Sequence, residues 1–489
     1  MDGYSISLAA AAPALATAVD DVADLVQRMT AALISDGRSH WLRVRPEIYA
    51  IVYDDAYLLF APLRGQVLQL TRAGLARLLL RPNAPINECI AGPEQANAKW
   101  STKWADDTAG EPPAIVAVSD SVRPVQVTLS LTSACQLACT YCYIHGGDQA
   151  RNMPWAIAEA AIRLVSRNAA EAKLGVLPVL FHGQGEPTAS WPLFTRAVAF
   201  AEHCCRESGQ KVAFSVMTNG ILTERKVRFL AEHHFSVGLS FDGPKSAQDA
   251  QRPMRRGGGS FRRVMETCRL FAESGIKFGI RSTVTPRSVA EMPDFVRFVH
   301  DHTSCRSIDF EPVTDTGRAC DGAPSSSGAE SIDDFGRAFE LAREVGAGLG
   351  VAVSFAACHM ESVRSSFCGA TGTNLSFCVA TDGLVSSCYE VLSSDDPRAS
   401  VFAYGAFDMR ARTFRFNEAK AAALRSLDVT KIACCSGCFA RWSCAGGCLA
   451  KVAYGGMDAV VGEESRTRCR LTREITRSEL ALLIRKKGE

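Results

Sequence analysis

The chain has 489 residues, which is too long for one ordinary hydrophobic core, so two or three domains are expected. Hydrophobic residues make up 47% of the chain and charged residues 22%, as is typical of soluble globular proteins. Lys and Arg number 54 against 52 Asp and Glu, so there is no strong basic field to attract nucleic acid or an anionic membrane.

The first section of the chain, residues 1–118, has a pattern of its own. An Ala-rich stretch at 7–19 lacks the positive residues of a signal peptide and predicts a helix. Alternating and helical spacings predict three strands and a helix, at 49–53, 57–60, 66–70 and 72–80. Strands followed by a helix resemble the small peptide-recognition element of many peptide-modifying radical enzymes. A packing appendage without a binding role explains the pattern equally well.

A stretch rich in Gly, Pro and Asp at 109–122 predicts a linker. After it, residues 125–131 alternate like a strand, and three cysteines follow in the spacing Cys-x3-Cys-x2-Cys. Three thiolates can hold three corners of a four-iron cluster and leave the fourth iron open to a small chelating molecule. The same spacing also suits one face of a buried helix, but the strand-like lead-in disfavours that alternative. The sequence therefore predicts a cluster on Cys135, Cys139 and Cys142.

From residue 125 to 313 strands and helices alternate, which predicts a parallel sheet with helices outside it. The predicted strands are 125–131, 177–182, 211–218, 236–241, 277–284 and 306–313. The predicted helices are 154–169, 190–207, 223–233, 260–274 and 289–302. In such sheets the chemistry gathers where the strands end.

Polar motifs stand at those ends. The turn from His182 to Thr188 contains Gly185, Glu186 and Pro187, and either Glu186 or a backbone carbonyl there can hold a charged amine. Asn219, Ser240, Asp242 and Arg281 lie at the next strand ends, and the Ser240 and Asp242 pair suits ribose hydroxyls. Taken singly, each motif is also an ordinary turn.

Two further stretches carry weaker signals. Arg252, Arg255 and Arg256 are interpreted as solvated charges, and 314–331 is interpreted as a flexible linker. A helix at 333–347 and a strand at 350–355 follow.

A second group of cysteines lies in the last third of the chain. Cys368 and Cys388 flank Gly383, and then come Cys435, Cys438, Cys444, Cys448 and Cys469. So many thiols with few helix or strand signals indicate metal in place of a hydrophobic core. Their spacing fits zinc and iron–sulfur clusters alike. The cysteine total is odd at 19, which favours a reduced, cytoplasmic protein over a disulfide framework.

Together these motifs resemble the radical S-adenosylmethionine (SAM) enzymes that carry a C-terminal SPASM domain. Both tail motifs of that family, Cys-x9-15-Gly-x4-Cys and Cys-x2-Cys-x5-Cys-x3-Cys followed by a last Cys, match from Cys368 to Cys469. The resemblance implies an α/β fold with a partial (β/α)6 barrel, a small N-terminal α+β peptide-recognition-like domain and a C-terminal cluster-binding domain. It implies the boundaries 1–118, 119–330, a bridging 331–367, and 368–489.

The resemblance also implies the cofactors, which are SAM on a [4Fe-4S] cluster and two auxiliary [4Fe-4S] clusters. The first auxiliary cluster would take Cys368, Cys388 and Cys448. The second would take the other tail cysteines, Cys435, Cys438, Cys444 and Cys469. A further family cysteine would fall at Asn374, so Cys378 replaces it or that cluster has an open or non-cysteine ligand.

The family motif places the SAM amine at Gly185, Glu186 and Pro187, although Gln184 stands where glycine is commoner. It places Tyr141 by the adenine. The ribose and carboxylate contacts would come from Asn219, Ser240, Asp242 and Arg281.

The resemblance further implies a radical reaction on a ribosomally made precursor peptide, with an electron donor such as flavodoxin or ferredoxin. Sulfatase-maturing members have an Asp directly after the cysteine equivalent to Cys388, whereas this chain has Tyr389 and then Glu390 as candidate catalytic residues. We therefore expect a carbon–carbon or carbon–oxygen crosslink, with thioether formation and epimerisation left open. The alternatives are a sulfatase-maturing enzyme and a non-catalytic cluster- or zinc-binding protein.

Overall fold

The computed structural model describes residues 41–53, 56–81, 83–90, 110–113, 121–321, 329–462 and 467–486. The helix expected at 7–19 and most of the linker expected at 109–122 lie outside these residues. Within the described ranges, no helix combines the length and apolar character needed to cross a membrane.

The N-terminal section contains an antiparallel sheet of sequential strands. These are β1 Trp41–Arg45, β2 Ile48–Tyr53, β3 Ala56–Ala61 and β4 Gln66–Leu70, followed by helices α1 Arg72–Leu80 and α2 Ile86–Ile90. The three predicted strands and the helix are confirmed. β1 escaped prediction because its sequence, Trp-Leu-Arg-Val-Arg, puts charges between the apolar residues. One face of the sheet packs on α1, and the other packs on Phe439 and Leu480 of the C-terminal region.

The central section is a parallel sheet in which neighbours in sequence are neighbours in space. Its strands are β5 Val127–Leu129, β6 Val176–Phe181, β7 Lys211–Thr218, β8 Ser236–Ser240, β9 Phe278–Val284 and β10 Ser307–Pro312. The helices between them are α3 Trp155–Glu171, α4 Trp191–Ser208, α5 Glu224–Glu232, α6 Lys245–Gln251, α7 Phe261–Glu273 and α8 Met292–His302. The predicted alternation is confirmed, and α6 is an addition to it.

Residue alternation gives the central sheet two unlike faces. In β9, Ile280 and Ser282 are buried beneath the helices, while Arg281 and Thr283 are only half-buried on the opposite face. We call this opposite face the inner face. Because β-strand side chains alternate, polar residues of successive strands gather on it.

The C-terminal region extends the same sheet at both edges. Helix α9 Ala329–Leu349 leads into β11 Ala352–Ser354, which pairs with β10. At the other edge, β12 Cys378–Val379 pairs in parallel with β5 and is followed by the antiparallel strands β13 Leu384–Ser386, β14 Ala403–Asp408 and β15 Thr413–Phe416. The remaining helices are α10 Ala399–Phe402, α11 Glu418–Ser426, α12 Arg441–Cys444, α13 Gly456–Val461 and α14 Thr467–Lys486.

One interpretation from the sequence is wrong in part. The stretch expected as a flexible linker from 314 onward begins with a short 3-10 helix, Gly317–Asp321, that packs on the first cysteine motif. Residues 322–328 of that stretch are not among those described.

Candidate active site

The predicted motifs come together where the parallel strands end. The segment Cys135–Cys142, here called the cysteine loop, follows β5, the turn from His182 to Pro187 follows β6, and Asn219 follows β7. Asp242 follows β8, and Thr314 to Arg318 follow β10. Neighbouring parallel strands end at the same edge of their sheet, so these segments form one site.

The cysteine loop is paired along its length with the segment after α6. Backbone hydrogen bonds of 2.8 to 2.9 Å join them, from Ala138 N to Pro253 O, from Thr140 N to Gln251 O and from Arg255 N to Gln136 O. Arg252 and Arg255, which the sequence suggested were solvated charges, therefore belong to the wall of the site. Arg256 is exposed, as that interpretation expected.

Tyr141 is held by a buried polar network. Its hydroxyl donates to Asp242 Oδ2 at 2.5 Å and accepts from Arg252 Nη1 at 2.6 Å. Asp242 also accepts from Gln251 Nε2 at 2.9 Å and from the Thr283 N–H at 3.1 Å. The Asp242 side chain is 0% exposed. The structure thus places Asp242 in support of the cysteine loop, which differs from the open position that a ribose contact needs.

Glu186 is also tied into the protein. Its carboxylate accepts from Thr188 Oγ1 at 2.8 Å, from Thr218 Oγ1 at 3.0 Å and from the Asn219 N–H at 2.7 Å. Burial raises the pKa of Glu186, and these hydrogen bonds oppose that rise. The Glu186 side chain is thus hydrogen-bonded within the protein, and its predicted contact with the SAM amine stays a prediction.

Asn219 reaches the first cysteine. Its Nδ2 lies 3.5 Å from Cys135 Sγ and 3.1 Å from Gln136 Oε1. Burial raises the pKa of Cys135, and the Asn219 contact lowers it, because a hydrogen bond to sulfur favours the thiolate. Asn219 therefore contacts Cys135, a predicted cluster ligand, and its own SAM contact stays a prediction.

Gln184 stands where glycine is commoner in the family motif, and its side chain forms hydrogen bonds that join two parts of the chain. Its Oε1 accepts from the Thr381 N–H at 2.9 Å, and its Nε2 donates to the Leu392 carbonyl at 2.9 Å. Its backbone N–H donates to Ser130 Oγ at 2.9 Å. The β6 turn is thus fastened to the segment that carries Cys388.

The donor set of the cysteine loop fits an iron–sulfur cluster. Burial is the main cause that raises the pKa of Cys139 to about 12; Arg252 lowers it, and Cys142 and Cys135 raise it. A Cβ on Gly146 would lie 2.9 Å from the Gln184 carbonyl oxygen, so glycine there lets the turn after the cysteine loop approach the β6 turn. Thiolates bind iron, and iron binding would displace the protons that burial retains.

The resemblance assigns Cys368, Cys388 and Cys448 to the first auxiliary cluster, and this assignment stays a prediction. Burial raises the pKa of Cys388, and Glu390, Cys448 and Cys368 raise it too. Cys378 is buried on β12, and burial is the main cause that raises its pKa to about 12. Cys378 stays a predicted replacement ligand for that cluster.

The second set lies beside the N-terminal sheet. Burial raises the pKa of Cys438, and Cys469 is among the groups that raise it further. Trp41 Nε1 donates to the Gly437 carbonyl at 3.1 Å, one residue from Cys438. No group of three or more His, Cys, Asp or Glu in the described ranges converges as around a single metal ion.

Aromatic residues line the inner face between the cysteine loop and the cysteines predicted for the first auxiliary cluster. The rings of His182 and Tyr389 are 4.6 Å apart, and Tyr389 is 40% exposed to the space in front of them. Tyr143 directly follows Cys142. Its hydroxyl donates to the Gly183 carbonyl at 3.4 Å, next to His182, and burial raises its pKa.

Charged pairs close the other side of this space. Arg281, predicted as a SAM contact, pairs with Asp309 and also reaches Glu311 at 3.4 Å. Ser240 lies opposite Arg281 in the strand register and is half-buried on the inner face. Glu390 pairs with Lys451 at 3.3 Å. This pairing makes Glu390 a poor free base.

His182 is expected to stay neutral over the working range of pH. Burial lowers its pKa to about 4, and Arg281 adds to that effect while Glu390 opposes it. Carbon-13 histidine NMR, with His182→Gln to identify the signal, should show a neutral ring from about pH 5 upward. A midpoint at the ordinary value of about 6.5 would contradict the buried position. His203→Gln, on the exposed face of α4, is the matched control.

Sequence reasoning named no role for His182, Tyr143, Gln184 or Arg318, and it interpreted Arg255 as a solvated charge. His182 had one signal, namely its place as the first residue after a predicted strand. The two arginines had none, because their partners are backbone atoms of a loop far away in the chain.

The central section matches a known family. Residues 129–299 fit the model described as the radical SAM superfamily. The chain contains a radical SAM domain. The predicted resemblance and the α/β radical SAM fold with a small N-terminal sheet domain are confirmed.

Relatives of the radical SAM domain include the cysteine-type anaerobic sulfatase-maturating enzyme of Clostridium perfringens. It is 33% identical over 158 residues, which are 32% of this chain and 42% of that protein. The chain thus spans less than half the length of this curated relative.

Two solved structures share the fold. The structure of anSMEcpe with bound AdoMet has a TM-score of 0.57 at 20% identity and covers 74% of this chain and 100% of its own. Streptococcus suis SuiB bound to its precursor peptide SuiA has a TM-score of 0.50 at 16% identity and covers 86% of this chain and 98% of its own.

Proposed function

We propose that this chain is a radical SAM enzyme that takes a hydrogen atom from a precursor-peptide residue and forms a carbon–carbon or carbon–oxygen crosslink between side chains. The carrying observation is that aromatic residues connect the two cysteine segments. Tyr143, next to Cys142, donates to the Gly183 carbonyl at 3.4 Å, and the ring of His182 lies 4.6 Å from that of Tyr389, next to Cys388. A radical source on one side and an electron acceptor on the other suit an oxidation of a residue held between them.

The chain's own residues would bind and position the cofactors. Cys135, Cys139 and Cys142 would hold the cluster, which, with SAM bound, supplies the 5'-deoxyadenosyl radical. Glu186 and Asp242 hold the surrounding loops in place, and the aromatic wall excludes water from the reacting groups. The tail cysteines would hold two auxiliary [4Fe-4S] clusters. Flavodoxin or ferredoxin is the proposed electron donor.

A peptide substrate is supported by the N-terminal section. Residues 119–489 make up a smaller share of the chain than the 86% that SuiB covers, so the shared fold extends into that section. The structure of SuiB contains a precursor peptide, and the β1–β4 sheet is the proposed peptide-recognition element here. One face of this sheet already packs on Phe439 and Leu480, so peptide contacts would use other parts of the sheet.

A sulfatase-maturing activity is the second candidate, favoured by the 33% identity to the Clostridium perfringens enzyme. Against it stands Tyr389 at the position of the family's Asp, because a phenol is a far weaker acid than a carboxyl group. Glu390, the next residue, forms an ion pair with Lys451 at 3.3 Å.

Anaerobic reconstitution tests the proposal. We expect about eight to twelve irons per chain and dithionite-dependent release of 5'-deoxyadenosine from SAM. If a short open reading frame is found beside the gene, coexpression with it should yield a peptide lighter by two hydrogens, whose crosslink mass spectrometry can locate. Zinc in place of iron, or no SAM cleavage after full reconstitution, would refute an enzymatic role. Aldehyde formation on a sulfatase-derived peptide would favour the second candidate.

A further inference from the structure

The segment after β10 touches the cysteine loop at a place that the family motifs do not use. The Arg318 N–H donates to the Cys142 carbonyl at 3.0 Å. Its guanidinium donates to the Cys139 carbonyl at 3.2 Å and to the Gly146 carbonyl at 3.0 Å. One residue thus contacts the backbone of two cluster cysteines and of the turn that follows them.

Arg318 also forms an ion pair that holds its side chain in place. Its Nη2 lies 2.7 Å from Asp148 Oδ1, and Arg255 lies 3.0 Å from the same oxygen. Arg255 Nη2 also donates to the Gly146 carbonyl at 2.6 Å. The Arg318 side chain is only 16% exposed, whereas Asp148 is 43% and Arg255 34% exposed, so the guanidinium of Arg318 is the buried part of this network. A planar guanidinium can serve two carbonyls and a carboxylate in one fixed orientation, which a lysine cannot.

The backbone before Arg318 can approach the loop only because residue 317 is glycine. Gly317 has a φ of +57°, and a Cβ there would lie 2.3 Å from the Cys142 carbonyl oxygen and 2.6 Å from the Tyr143 carbonyl carbon. Both are backbone atoms, which cannot rotate away as a side chain can. Any side chain at this position must push the two segments apart.

The same segment reaches the first auxiliary site. Thr314 Oγ1 accepts from Lys451 Nζ at 2.8 Å, and Lys451 pairs with Glu390 at 3.3 Å. Lys451 and Glu390 lie three and two residues after Cys448 and Cys388, respectively. The chain from Thr314 to Arg318 therefore spans the distance between the two cysteine sites.

We infer that Gly317 and Arg318 are positioning residues that hold the cysteine loop in the shape required for the first cluster. This inference rests on the proposed function for its catalytic meaning, but the loop it concerns can be observed without catalysis. Loss of the contacts should loosen the loop from Cys139 to Asp148, lower cluster occupancy at that site and slow SAM cleavage.

The test uses Gly317→Ala, Arg318→Gln and Arg318→Lys in the full chain. Gly275→Ala is the control for the first, because Gly275 has a φ of +68° but no atom within 4 Å of the added Cβ. Arg297→Gln is the control for the second, since Arg297 lies in an exposed pair with Asp294. The lysine variant keeps the charge and removes the planar group.

Hydrogen exchange of the protein as purified, followed by mass spectrometry, is the first readout. Gly317→Ala and Arg318→Gln should raise exchange in peptides covering 135–148, while both controls match the unmodified chain there. In the reconstituted protein, iron per chain should fall by about one cluster. Release of 5'-deoxyadenosine with dithionite and SAM alone should fall on the order of tenfold or more. Arg318→Lys should resemble the glutamine variant.

The inference would be overturned by exchange in 135–148 equal to that of the controls, whatever the iron content. If Arg318→Lys behaved like the unmodified chain, the positive charge at position 318 would explain the effect, and positioning by the planar guanidinium would be refuted. If the unmodified chain cleaves no SAM but the exchange difference is present, the proposed function fails and the positioning role stands.

Discussion

Cys142→Ala should reduce reductive SAM cleavage to the background of the assay. The remaining two thiols of the cysteine loop cannot hold the cluster in the geometry that leaves one iron for SAM. The loss should be larger than that for any variant outside the loop, because it removes the source of the radical. The measurement is 5'-deoxyadenosine by liquid chromatography and mass spectrometry after anaerobic reconstitution.

Two other cysteines separate this effect from general damage. Cys438→Ala, in the second auxiliary set, should impair product formation more than SAM cleavage. Cys204→Ala, buried on α4 away from both sites, should preserve both activities. Equal loss of SAM cleavage in Cys142→Ala and Cys438→Ala, with folding preserved, would argue against separate roles for the two cysteine groups.

Asp242→Ala should destabilise the radical SAM domain by about 3–5 kcal/mol, the usual cost of removing one partner of a buried ion pair. Arg252 lies 3.9 Å away with 9% of its side chain exposed, and would be left charged without its carboxylate. The hydroxyl of Tyr141 and the Gln251 amide would lose their acceptor as well. Urea unfolding under anaerobic conditions, followed by tryptophan fluorescence, measures the change.

A double replacement tests the cause of that change. Asp242→Ala combined with Arg252→Met removes both charges and should be less destabilised than the sum of the single variants. Glu266→Ala, exposed on α7 in a pair with Arg269, is the control for losing a paired carboxylate in this domain. Unchanged stability of Asp242→Ala together with a higher KM for SAM would restore the predicted ribose contact.

The strand pattern made most of the fold predictable. In β9, the alternation of Phe278, Ile280 and Val284 with half-buried residues marks a strand covered on one face, and the structure shows that pattern. Helix α6 was missed because Lys245–Gln251 is short and its sequence, Lys-Ser-Ala-Gln-Asp-Ala-Gln, has no apolar stripe. Gln248 and Gln251 of this helix are buried because their side chains form hydrogen bonds with Asp242.

The roles of single side chains were less predictable than their positions. Asp242 and Glu186 were placed correctly at strand ends, but whether a carboxylate faces a ligand or the protein depends on what packs against it. Thr218 and Asn219 donate hydrogen bonds to Glu186. Tyr141 donates a hydrogen bond to Asp242, and Arg252 forms an ion pair with it. None of these partners is adjacent in sequence, so the spacing of the motifs cannot reveal them.

By itself, the sequence determined the chemistry available to this protein: three closely spaced thiols after a strand, two further thiol sets, and glycines where backbones approach. Such information is local, since ligand type and spacing are read along the chain. Only the tertiary structure decided that Gln184 joins the β6 turn to the Cys388 segment and that Arg318 holds the cysteine loop. These contacts join residues 208 and 179 positions apart, and hydrogen bonds over such separations depend on how strand ends meet in the folded sheet.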